Sequence, residues 1–170
     1  IFLGFAISPK AVIILTNMSI EYFAIFTAVF SIIFALYLSA RVKKEPEGDE
    51  KMKEIAEAIR EGSRAFLKRQ FKAILVVGII VAIALWVAPK LGGMVALGFV
   101  IGALASSIAA YLGMKTAVMA NSRVTEAAKF GLKEAFSLAF KGGSVTGFLV
   151  VGMGLLVVAG GLIQIKDFFW

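Results

Sequence analysis

Side chains that could carry out catalysis are scarce in this sequence. The 170 residues include no cysteine and no histidine, which removes thiol chemistry, the commonest general base and the commonest metal ligand. The two aspartates are Asp49 and Asp167, whereas two-metal phosphoryl chemistry needs several carboxylates gathered at one site. No G-x-x-x-x-G-K-[ST] phosphate-binding loop occurs. The sequence therefore predicts that no catalytic, substrate-binding or metal-binding residue lies in this chain.

One short segment could bind an anion. Gly142, Gly143 and Ser144 stand at the start of an apolar run, and the free amides of a helix N-terminus attract anions. The alternative is a simple helix start with Ser144 as its N-cap. We favour the helix start, so this segment predicts the beginning of a membrane-spanning helix rather than a binding site.

The apolar runs around these residues are long enough to cross a membrane. Apolar residues make up 60% of the chain and the mean hydropathy is +0.92, above the roughly 45–50% apolar content of soluble domains. A helix needs about 20 apolar residues to cross the ~30 Å of hydrocarbon in a bilayer. The sequence predicts an all-α membrane protein with four transmembrane helices, at residues 20–40, 71–88, 94–112 and 145–165.

The basic residues are concentrated in two polar stretches between these spans. Fifteen of the eighteen lysines and arginines lie within residues 41–72 or 115–141. Because basic loops stay on the cytoplasmic side, we expect residues 41–70 and 113–143 inside the cell. The turn that begins with Pro89 and ends with Gly93, and both ends of the chain, are then outside. The same bias accounts for the net charge of +7 without a nucleic-acid partner. A basic nucleic-acid binder that folds without a membrane is a third-ranked alternative.

Both polar stretches have helical patterns. In the first, apolar residues recur at helical spacing and predict an amphipathic helix that runs into the second span: Met52, Ile55, Ile59 and Phe66. We expect Asp49 to cap this helix and a soft point at Gly62–Ser63. In the second, small residues lie along one helical side, from Ala117 to Gly131. They predict a helical hairpin that packs on its neighbours rather than on the membrane surface.

Small residues also recur four apart within the spans, which lets helix backbones approach closely in lipid. These pairs predict that the spans belong to a larger bundle: Gly98 with Gly102, Ala109 with Gly113, and Gly143 with Gly147. Residues 1–17 fit less well, because Pro9 and Lys10 divide them into pieces too short to cross alone. We expect residues 1–17 to be an apolar leader upstream of a natural start at Met18.

Three sequence motifs occur in order at the ends of these spans, and together they resemble one family. The motifs are residues 59–72 (IREGSRAFLKRQFK), residues 113–128 (GMKTA, then ANSRV and EAA) and residues 140–147 (FKGGSVTG). From Met18 to Trp170 the chain is similar to membrane-bound, ion-pumping inorganic pyrophosphatases.

The resemblance implies more than the residues themselves. It implies a homodimer with about sixteen spans per subunit in the cell membrane, whose cytoplasmic site hydrolyses inorganic diphosphate held by Mg²⁺. Protons or sodium ions are moved outward, and K⁺ is a further candidate cofactor. Because the family's catalytic and ion-gate residues begin with the fifth span, none is carried onto this chain. It is then the N-terminal outer-ring portion of the enzyme, inactive alone.

The alternative from another class is a complete, small four-span scaffold or subunit of a membrane complex without enzymatic activity. It shares the predicted topology. Coding sequence beyond Trp170 discriminates the two, because the pyrophosphatase hypothesis expects further spans with closely spaced aspartates.

Overall fold

The computed structural model describes residues 9–88 and 92–169, with side chains at 20–88 and 93–163. These residues form four helices: α1 (Pro9–Lys44), α2 (Glu50–Val87), α3 (Gly92–Ala128) and α4 (Leu132–Phe169). At 1.5 Å per residue each is about 55 Å long, well beyond the ~30 Å of hydrocarbon. All four are long and apolar enough to cross a membrane. The predicted all-α fold with four transmembrane helices is therefore confirmed, and each predicted span coincides with part of one helix, the second extending one residue beyond the end of α2 at Val87.

The start of α1 differs from the sequence-based expectation. Pro9 does not divide residues 9–17 into a separate piece, because it occupies the first turn of α1, where proline's missing amide is not needed. Residues 1–8 lie outside the described residues. The proposed start at Met18 stays a prediction.

The polar stretch before the second span is helical, as predicted. Asp49 caps α2, since its Oδ1 accepts a hydrogen bond of 2.9 Å from the amide of Met52. Helix α2 continues through Gly62 and Ser63 into the second span, as predicted, and the soft point expected there stays a prediction. A glycine within a helix costs about 1 kcal/mol relative to alanine without removing any backbone hydrogen bond. The helix therefore tolerates it.

The predicted helical hairpin is formed by the ends of α3 and α4. The connection is residues 129–131, where Gly131 has a φ of +141° that favours glycine. The expected helix start with Ser144 as N-cap was wrong, because α4 begins at Leu132 and continues through residues 142–144. The amides of this segment lie inside the helix, so they cannot form an anion site of the type considered from the sequence.

The order of the helices in space differs from their order in the chain. Helix α4 packs extensively against both α1 and α3, and α2 packs against the other side of α3. Helices α1 and α3 touch less, and within residues 9–88 and 92–169 no substantial contact joins α1 to α2 or α2 to α4. The helices thus form a layer in the order α1, α4, α3, α2.

Small residues form the contacts inside this layer, and large apolar residues face outward. The buried core includes Ala28, Ala35, Ala109, Val145 and Leu149, whereas many phenylalanine, isoleucine and leucine side chains are exposed. This distribution is typical of membrane helices, where lipid solvates large apolar side chains and close packing joins the helices.

Three glycines permit the closest approaches between different helices. A Cβ at Gly152 would lie 2.9 Å from the backbone oxygen of Ala28, and one at Gly113 would lie 2.8 Å from Oγ1 of Thr146. A Cβ at Gly142 would lie 2.9 Å from that of Ala120. The predicted packing pair of Ala109 and Gly113 is therefore at an interface.

The other two predicted pairs of small residues, Gly98 with Gly102 and Gly143 with Gly147, are not closely packed among the described residues. A Cβ at Gly102 would just reach Val157, at 4.0 Å, and one at Gly98 would meet no described atom within 4 Å. Gly143 and Gly147 likewise have open space around them within the described residues. Their expected packing role is not fulfilled by the four helices described.

Candidate functional site: the charged cluster around Arg123

The central residue of the polar end of the layer is Arg123, on α3. Its side chain is only 7% exposed. Its Nε donates to the carbonyl of Glu45 at 3.0 Å, and its Nη2 donates to that of Lys43 at 3.3 Å. A third bond, of 2.7 Å, joins Nη1 to the carbonyl of Met119. Because the last carbonyls of a helix lack intrahelical partners, Arg123 satisfies the C-terminal end of α1 from a neighbouring helix.

Glu47 connects Arg123 to the start of α2. Its Oε1 lies 2.9 Å from Nη1 of Arg123 and also contacts Nη2 of Arg60. Arg60 in turn donates from Nη1 to Oε2 of Glu57 at 2.9 Å. The Glu47 side chain is 24% exposed, so solvent screens this network only partly. We call Arg123, Glu47 and Arg60 the Arg123 cluster; it joins the α1–α2 loop to both α2 and α3.

A second set of contacts joins the same loop to the end of α3. Nζ of Lys129 lies 2.7 Å from Oε2 of Glu126 and 3.6 Å from Oδ2 of Asp49. The close contact with the Glu126 carboxylate raises the pKa of Lys129, and the hydrogen bond from the Met52 amide lowers the pKa of Asp49. Gly48, at φ +96°, allows this approach, because a Cβ there would collide with the Met52 sulfur.

A hydroxyl pair stabilises the contact between α1 and α3 on the membrane side of the cluster. Oγ of Ser39 and Oγ1 of Thr116 are 3.0 Å apart. Thr116 Oγ1 also donates to the carbonyl of Leu112 at 3.0 Å, so Ser39 must be the donor in the pair. Thr116 is 4% exposed, and its hydroxyl is therefore satisfied on both sides.

The Arg123 cluster joins segments of the same chain, and its charged groups bind one another. Each carboxylate named above lies within 4 Å of at least one cationic side chain. Among the described residues, no group of three or more His, Cys, Asp or Glu side chains could hold a metal ion. The described residues therefore offer no ligand set for the Mg²⁺ implied by the family resemblance. The prediction that catalytic residues lie elsewhere stays a prediction.

The sequence reasoning missed the role of Arg123. In the sequence it stands among the basic residues of the second polar stretch and in the ANSRV motif, with no packing role assigned to it. A signal was available, because Arg123 lies three residues after Ala120 and four before Ala127, on the small-residue side of α3. An arginine at a packing position must be buried with acceptors around it.

Comparisons with known proteins agree with the motifs. Residues 29–168 match the family model of inorganic H+ pyrophosphatase. The chain is 43% identical over 136 residues to a K(+)-insensitive pyrophosphate-energized proton pump of Methanosarcina mazei, covering 78% of this chain and 20% of that protein. It is 41% identical over 140 residues to a K(+)-insensitive pyrophosphate-energized proton pump of Moorella thermoacetica, covering 81% of this chain and 20% of that protein.

A putative K(+)-stimulated pyrophosphate-energized sodium pump of Clostridium tetani is 40% identical over 125 residues, covering 74% of this chain and 18% of that protein. The chain thus spans about a fifth of the length of the curated relatives it matches. The four membrane-spanning helices, the ordered motifs and the match over residues 29–168 together show that this chain belongs to the inorganic H+ pyrophosphatase family.

Proposed function

We propose that this chain is the N-terminal, outer-ring portion of a membrane pump that couples hydrolysis of inorganic diphosphate to outward transport of protons or sodium ions. The observation that carries the proposal is the family match over residues 29–168, supported by relatives that are named as pyrophosphate-energized pumps. Magnesium, any potassium and the diphosphate would be bound by other parts of the enzyme, which would act as a homodimer.

The part played by these four helices is support. Close contacts at Gly113 and Gly152 fix the helices against one another within the membrane, and the Arg123 cluster fixes the α1–α2 loop at its surface. Phosphoryl transfer depends strongly on positioning, so a rigid outer layer can affect rate without touching the substrate. The exposed apolar faces would contact lipid and the remaining spans of the same polypeptide.

The activity is tested by phosphate release from magnesium diphosphate. Membranes that contain the full-length protein are expected to release phosphate, and membranes that contain only this chain are expected to stay at background. Transport by the full-length protein into sealed vesicles, followed with a pH-sensitive dye and with radioactive sodium, distinguishes the two ions. Release by the chain alone would overturn the assignment of the site to other spans.

We further propose that the charged extensions, residues 41–70 and 113–143, lie in the cytoplasm in the intact cell. The chain has no native cysteine, so single cysteines can be introduced at Lys51 in the first extension and at Ala88 beyond the other end of α2. An impermeant maleimide added to intact cells is expected to label Ala88→Cys and not Lys51→Cys. The opposite pattern would reverse the orientation.

A further inference from the structure

A basic pocket lies between α2 and α3 beside the Arg123 cluster. Its volume is about 420 Å³, and its lining includes five basic side chains but a single carboxylate, that of Glu47: Lys43, Arg60, Arg64, Lys115 and Arg123. Glu47 engages Arg60 and Arg123. The Arg64 side chain is 73% exposed and lies 3.4 Å from Oε1 of Glu57, which is outside the pocket lining. The side chains of Lys43 and Lys115 form no ion pair with described residues. The pocket therefore has more positive charge than its own acidic groups balance.

An apolar groove of about 490 Å³ lies next to this pocket along the same pair of helices. On α2 the lining passes from Arg64 to Leu67, Phe71 and Gly78 at helical spacing, which keeps these residues on one face. The rings of Phe71 and Tyr111 lie 6.3 Å apart where the two cavities meet. A Cβ on Gly78 would meet nothing within 4 Å, so the groove is open there.

On α3 the same change from polar to apolar lining occurs at the same level. Lys115 and Tyr111 line the pocket, and Ser107, Leu104 and Val100 line the groove below them at spacings of three to four residues. The two cavities thus lie end to end on the α2–α3 pair, one helical turn apart, and we call them together the α2–α3 channel.

The change in lining coincides with the expected boundary of the hydrocarbon. The second span is predicted to begin at residue 71 and the third to end at residue 112. The basic pocket therefore lies at headgroup level and the apolar groove at acyl-chain level. Tyr111 has the amphipathic ring that is enriched at this interface.

We infer that this channel binds an anionic glycerophospholipid, with its phosphate in the basic pocket and an acyl chain along the groove. Basic pockets between membrane helices suit anionic headgroups, since charge and hydrophobic burial act together. A free phosphate fits the pocket but makes no use of the groove, and a zwitterionic lipid fits the groove but not the unbalanced charge.

The test uses the protein reconstituted in phosphatidylcholine vesicles with spin-labelled phosphatidylglycerol, and it measures the motionally restricted fraction by electron paramagnetic resonance. Arg64→Gln with Lys115→Gln is expected to lower the relative affinity for phosphatidylglycerol about tenfold. The matched control is Lys68→Gln with Arg69→Gln, which removes the same charge from exposed positions of α2 outside the pocket. It is expected to change the affinity less than twofold. An equal loss in both pairs would mean general surface attraction and would overturn the site.

The groove is tested separately by filling it. Gly78→Phe places a ring in the open space and is expected to lower phosphatidylglycerol binding severalfold, while Gly147→Phe, at an exposed glycine with equal space, leaves it unchanged. Far-ultraviolet circular dichroism checks that each variant is folded. If the variant with both Arg64→Gln and Lys115→Gln is not folded, the single variant Lys115→Gln is used in its place. If inorganic phosphate displaces the lipid and Gly78→Phe has no effect, the pocket takes a free phosphate and the lipid proposal is wrong.

Discussion

Replacing Arg123 with methionine is expected to lower the free energy of unfolding by about 3 kcal/mol. The guanidinium is almost fully buried and is the partner of the carbonyls of Lys43 and Glu45 and of the Glu47 carboxylate. Methionine retains most of the side-chain length but has no donor. The substitution therefore removes the hydrogen bonds while leaving only a small cavity.

The expected loss of about 3 kcal/mol follows from typical costs of such substitutions and from two facts that reduce the cost here. Removing one member of a buried ion pair costs about 3–5 kcal/mol, and hydrogen bonds to charged groups contribute about 1.5–3 kcal/mol each. Glu47 keeps its contact with Arg60 in the variant and is 24% exposed, so solvent partly replaces Arg123. Both facts place the expected loss at the lower end of these ranges.

The loss can be measured by unfolding the protein with sodium dodecyl sulfate in mixed micelles. Amide hydrogen exchange at residues 45, 47 and 48 gives a local measure, since release of the α1–α2 loop should accelerate exchange there. Arg69→Met, at an exposed position of α2, is the matched control and is expected to change stability by less than about 0.5 kcal/mol.

A double-mutant cycle with Glu47→Gln separates the ion pair from the carbonyl contacts. Arg123 and Glu47 are in direct contact, so we expect a coupling free energy of about 1–2 kcal/mol between the two substitutions. A loss of under about 1 kcal/mol for Arg123→Met, with loop exchange unchanged, would refute the structural role assigned to this arginine.

Two further predictions concern the packing and the cap. Gly152→Ala should destabilise the protein by about 2 kcal/mol, because its Cβ meets the Ala28 carbonyl, whereas Gly154→Ala, with open space, should be neutral or slightly stabilising in the same assay. The Met52 amide lowers the pKa of Asp49 in the folded protein. The ionised Asp49 side chain should therefore contribute fully to stability above its ordinary pKa of 3.8, and this contribution should be lost as the pH falls through its lower folded-state pKa. Asp49→Asn should abolish this part of the acid dependence of unfolding; an unchanged acid profile would contradict the assignment.

Local signals at single residues were the weakest part of the sequence-based reasoning. Ser144 has the side chain of an N-cap, yet it lies inside a continuous helix, as does Gly62. In each case neighbouring turns supply the backbone hydrogen bonds, and packing such as that of Gly142 on Ala120 favours the unbroken helix. Asp49 was predicted correctly because its cap depends only on the amide three residues later.

The sequence by itself determined the four spans, their charged extensions and the family. The spans and the extensions follow from how each local stretch partitions between lipid and water, and the family follows from motifs along the chain. These properties do not depend on which helices touch. Only the tertiary structure decided that α4 lies between α1 and α3 and that Arg123 is buried against the end of α1. Small residues occur on several helix faces, and lipid solvates every apolar face equally well. Hydropathy therefore cannot select the partners, and shape complementarity between whole helices does.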